Sequence, residues 1–159
     1  AGTTINVNGS GIVTDGILMS KDDGNPSGNY LRQACLRFYL SSYTRSLGEA
    51  ELVLTPVAVG TDIVSSTFQV LLVSDDTWTE TGVTWNNRPA GSTVVGTISG
   101  SALTVGQPIL VNLNAVTAQE LAGDGKLSLV IVSTVTGAQR FVQFGSRESG
   151  ANGPLLRLQ

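Results

Sequence analysis

Apolar residues in this chain recur at every second position, in short runs cut by Gly, Asn, Asp and Ser, and almost nowhere at helical spacing. A period of two sends alternate side chains to opposite faces of a strand. In residues 33–40, Ala34, Leu36, Phe38 and Leu40 share one face, and Cys35, Arg37 and Tyr39 share the other. Residues 4–8 alternate in the same way, with Ile5 and Val7 on one side, and end at Asn8-Gly9-Ser10-Gly11. Residues 12–20, 50–57, 93–99, 108–113, 140–145 and 154–159 read as further strands. Residues 68–73 are nearly all apolar, and 127–132 carry a long alternating apolar run, so both read as central strands. Only 114–121 reads as helix, ahead of the turn Gly123-Asp124-Gly125. The pattern predicts an all-β protein, an antiparallel β-sandwich or jelly roll of about nine or ten strands with at most one short helix. The expected organisation is an N-terminal strand and hinge over residues 1–11 and one sandwich domain over 12–159, with no linker and no repeat.

Composition removes several functions. The 159 residues suffice for one domain with a real core. Nine cations against twelve anions give a net charge of −3, and the cations are scattered, which argues against a nucleic-acid partner. There is no histidine, so Ser-His-Asp and Cys-His catalysis and histidine-based metal sites are excluded. One cysteine, Cys35, permits no internal disulfide and reads as a buried filler. No apolar run nears the ~20 residues that span a membrane, and membrane insertion is not expected. No signal peptide is seen, and the opening Ala1-Gly2-Thr3-Thr4 reads as that of a processed mature protein or an excised domain. Charged residues make up only 13% of the chain. A charge-poor, β-rich surface tends to associate with its neighbours.

Residues 74–91 hold both tryptophans, Trp78 and Trp85. A long corner carrying two such rings orders itself by packing, since each buries roughly 150–250 Å². Trp78, Glu80, Trp85, Asn86 and Pro89 are the expected packing residues. Asp75, Asp76 and Glu80 are three carboxylates in one loop, suited either to turn capping or to a structural Ca²⁺, which takes oxygen ligands. No other cofactor is expected.

Trp78-Thr79-Glu80 and Thr84-Trp85-Asn86-Asn87-Arg88-Pro89 resemble the motif of DNRLRE-type β-sandwich modules. These overlap the carbohydrate-binding modules appended to polysaccharide lyases. Three further segments resemble that family in order: residues 32–40, residues 49–54, and Ser146-Arg147-Glu148-Ser149 followed by Asn152-Gly153-Pro154-Leu155. The resemblance runs from about Asp15 to the C-terminus and implies a non-enzymatic sandwich.

Two functions follow as expectations. The first is a structural subunit that self-assembles head-to-tail into an extracellular filament, surface appendage or virion component. Its assembly residues are Thr4, Ile5, Asn6, Val7 and Asn8, a short strand on a glycine hinge that suits donation to the next copy. The alternative is a carbohydrate-binding module, extracellular or surface-exposed, holding a polysaccharide through Arg32, Arg37, Arg140 and Arg147. No carboxylate has an identifiable catalytic partner, so no enzyme is expected. Asn8-Gly9-Ser10 also fits an N-glycosylation sequon.

Overall fold

The computed structural model describes the backbone of residues 2–6 and 12–13 and the whole of residues 17–25 and 30–159. Its strands are β1 (Gly2–Asn6), β2 (Ile12–Val13), β3 (Ile17–Ser20), β4 (Arg32–Tyr39), β5 (Ala50–Leu54), β6 (Pro56–Val59), β7 (Thr67–Val73), β8 (Gly91–Ser99), β9 (Ile109–Asn112), β10 (Lys126–Ser133), β11 (Val142–Gly145) and β12 (Leu155–Leu158). Among the described residues one α-helix, α1 (Asn114–Ala122), joins β9 to β10, and three short 3-10 turns lie in the loops. A six-stranded sheet runs β2-β1-β4-β10-β7-β8, and two three-stranded sheets run β3-β11-β6 and β12-β5-β9. Every strand pairing among the described residues is antiparallel.

The expected sandwich is what forms, with two of the expected strands divided. Residues 50–57 supply β5 and β6, which lie in different sheets. Pro56 opens β6, and proline has no N–H with which to extend the β5 ladder. The Thr55 carbonyl instead accepts from Gly145 N at 3.1 Å, which ties the crossing to β11. Residues 12–20 divide likewise, β2 joining the large sheet and β3 a small one.

The core shows why the period of two works. Ala34 and Leu36 of β4, Leu127, Leu129 and Ile131 of β10, and Phe68, Val70 and Leu72 of β7 cluster with Leu18, Leu52, Leu54, Val111, Val142 and Phe144 from the small sheets. Each such side chain contributes roughly 1.5–3 kcal/mol on burial. Leu113, Val116 and Leu121 carry α1 onto the same core.

A second cluster lies on the opposite face of the large sheet. Cys35 and Val130, which alternate with the core residues of β4 and β10, pack with Val73, Trp78 and Val83 and with the partly buried Leu71, Trp85 and Val132. The middle strands are thus covered on both sides, which is why 68–73 carries almost no polar residue. Burial pushes the Cys35 thiol up to about 12. A thiol reagent should therefore leave native protein unlabelled at pH 8 and react fully in denaturant. Rapid labelling of native protein would show that the corner opens.

Candidate functional site

The segment between β7 and β8 folds back over the outer face of the large sheet. Trp78 is 7% exposed, and its ring lies 4.2 Å from the Arg37 guanidinium carbon. Arg37, on β4, donates from Nε to Ser128 Oγ at 3.1 Å and faces Asp76 Oδ1 at 3.7 Å. Ser128 Oγ donates in turn to Asp76. Pro89 is buried, Trp85 is half-buried under Arg88, whose guanidinium carbon stands 3.8 Å from its ring, and Asn86 is exposed. The residue that closes this turn is Asn87, whose side chain accepts from Thr84 N and Oγ1 and donates to Gly82 O at 3.0 Å. Gly91 ends the corner flush with the sheet, because a Cβ there would stand 2.7 Å from Leu71 Cβ and 2.8 Å from Val130 Cγ1.

The three corner carboxylates turn to three different partners. Asp75 caps Thr77, Asp76 faces Arg37, and Glu80 meets Arg147 Nη2 at 3.5 Å. The Ca²⁺ site expected from Asp75, Asp76 and Glu80 is not assembled. Among the described residues no group of three or more His, Cys, Asp or Glu is placed to hold a metal ion. The hydroxyl and N–H of Thr77 hold the Asp75 carboxyl below its ordinary value of 3.8. A depressed folded value stabilises above the unfolded one and is lost as pH falls through the folded one. Asp75→Asn should therefore narrow the difference in urea midpoint between pH 7 and pH 3, since the wild-type contribution is present above 3.8 and is lost as pH falls below it.

The four arginines fall in different places. Arg37 is buried beneath Trp78, out of reach of a polymer at the surface. Arg147 is exposed and shared between Glu80 and Glu148. Arg32 and Arg140 belong to adjoining segments at the other end of β4. There Lys21 and Arg32 exchange main-chain hydrogen bonds of 3.1 and 2.9 Å. The Lys21 ammonium lies 5.0 Å from the Tyr30 ring centroid and 5.9 Å from that of Phe141. The turn carrying Arg140 is tied in by Gly137 N, which donates to Asp22 O at 2.7 Å. Tyr30 is 58% exposed. Partial burial lowers the Arg32 guanidinium, against the opposing pull of Asp23 and Tyr30. Sequence reasoning missed Lys21. The signal was a lone cation directly ahead of the polar run Asp22-Asp23-Gly24-Asn25.

β1 is bonded on both edges inside its own sheet, to β2 and to β4, with Thr4 opposite Val13 and Ala34. Thr4, Ile5 and Asn6 thus complete their own domain in this structure. Val7 and Asn8, and with them the hinge and the sequon, lie outside the described residues.

The fold is a β-sandwich with a tightly packed corner at one place and an exposed tyrosine ring beside a lysine at another. The chain belongs to carbohydrate-binding module family 96, whose family model matches residues 12–159. The match is to that family and not to the DNRLRE type as such. Carbohydrate-binding modules are non-catalytic. No curated protein matches the chain.

Proposed function

We propose that this protein holds an acidic polysaccharide, without acting on it, at the surface formed by Lys21, Tyr30, Arg32, Arg140 and Phe141. The observation that carries the reading is the exposed Tyr30 ring with Lys21 against it and Arg32 alongside. An aromatic ring offers an apolar face to the C–H side of a sugar, while cations pair with its carboxylates. Lys21 fixes the ring on one side, so less rotamer freedom is lost when a sugar arrives. Such modules are typically extracellular or surface-exposed, and that location suits this chain. The filament reading carries less support: the family points to a carbohydrate partner, and β1 is already paired at home.

Affinity electrophoresis in polygalacturonate tests the site. Lys21→Ala and Arg32→Ala should each weaken retardation about fivefold, the loss of a single exposed ion pair near 1 kcal/mol. Retardation should also fall as salt rises, because exposed charges are screened. Wild-type retardation in both variants would place the polymer elsewhere.

A further inference from the structure

A groove of about 370 Å³ opens at the opposite end of β4, lined by Phe38, Tyr39, Leu40, Ser42, Tyr43, Leu156 and Leu158. Seven residue steps of strand separate Arg32 from Tyr39, about 23 Å at ~3.3 Å per step, so this groove is separate from the Lys21 cluster. We infer that it is a second carbohydrate contact, one that takes the ring of a neutral polysaccharide.

The inference rests on the carbohydrate-binding reading and adds a different ligand class at a different place. No residue lining the groove is charged, and the cations beside it are already paired, Lys126 with Asp124 at 3.8 Å and Arg157 with Glu51 at 3.2 Å, so a uronate carboxylate gains little there for the hydration it loses. Two tyrosines line it, and Tyr39 is 63% exposed. Tyrosine combines an apolar face for the C–H side of a pyranose with a hydroxyl for its equatorial groups. Tyr43 is held in advance: its hydroxyl donates to Ser46 O at 3.2 Å and its N–H to Leu40 O at 2.9 Å. The phenolic oxygen keeps its acceptor capacity for a sugar hydroxyl.

The walls are fixed as well. Gly48 N and Glu49 N both donate to Gln159 O, at 2.6 and 3.0 Å, and Gln159 N returns a bond to Glu49 O at 2.9 Å. These bonds clamp the 41–48 loop to the end of β12. Leu40 N donates to Gly125 O at 2.8 Å and anchors the other side. A groove formed before the ligand arrives spends little binding energy on ordering itself. The larger cleft beside α1, about 490 Å³, has no aromatic lining and offers no such stacking surface.

Affinity electrophoresis in hydroxyethylcellulose and in polygalacturonate tests the inference. The wild type should be retarded by both. Tyr39→Ala and Ser42→Glu should weaken retardation by hydroxyethylcellulose about tenfold and leave polygalacturonate unchanged. Lys21→Ala should do the reverse. Ser42 is exposed, so Ser42→Glu places a charge in the groove without removing core packing, and unchanged melting confirms that it folds. Retardation by polygalacturonate alone overturns the groove and leaves the Lys21 surface standing. Retardation by hydroxyethylcellulose that survives both groove substitutions also overturns it. Retardation by neither polymer overturns the inference together with the reading beneath it.

Discussion

Trp78→Ala will lower the free energy of unfolding by about 3–5 kcal/mol, the range for emptying a large buried site. The ring is 7% exposed and packs among Cys35, Val73, Val83 and Val130 on the outer face of the large sheet. Alanine would leave a cavity there and uncover one side of Arg37. The surrounding strands also carry the main core on their other face, so they cannot collapse into the space without disturbing it. Trp85→Ala will cost less, because that ring is only half-buried and its outer side meets the exposed Arg88. Urea denaturation followed by circular dichroism measures both. Equal losses, or an unchanged midpoint for Trp78→Ala, would contradict this account of the corner.

Asp76→Ala will be comparably severe, about 3–5 kcal/mol, because it strands a buried guanidinium. The side chains of Arg37 and Asp76 are 10% and 13% exposed, so water cannot easily replace the lost partner. Removing both charges should cost less than removing one. The double variant Arg37→Met with Asp76→Leu is therefore expected to lie well above Asp76→Ala in stability, since a buried pair exchanged for apolar residues is often neutral. A double-mutant cycle tests this, because residues in contact are strongly non-additive. Additive losses would mean that Arg37 and Asp76 stabilise the corner separately.

The strands were legible because each face of a strand is either buried or not, and the alternation at 33–40 records that choice directly. What the sequence hid were the changes of sheet. Residues 50–57 carry apolar residues on both sides of Thr55, and periodicity alone does not mark where the chain leaves β5 for β6. Pro56 marks it, through its missing N–H. Asn87 was missed beside Asn86, because adjacent asparagines differ only in which one reaches Thr84 and Gly82. The carboxylates at 75, 76 and 80 looked like one group because they are near in sequence. Their partners Arg37 and Arg147 come from distant segments and separate them. The four arginines lie apart for the same reason. Arg37 lies on the same strand as Arg32, yet it sits under a tryptophan while Arg32 reaches the edge beside Lys21.

Carbohydrate binding through exposed side chains, with the tryptophan corner as support and not as platform, is the claim on which the rest depends. The most direct measurement is a glycan array of neutral and acidic polysaccharides probed with the wild-type protein, at low salt and again at high salt. Binding to acidic polymers that weakens as salt rises, with no release of reducing ends, is the predicted result. An array without a hit at either salt concentration would contradict it.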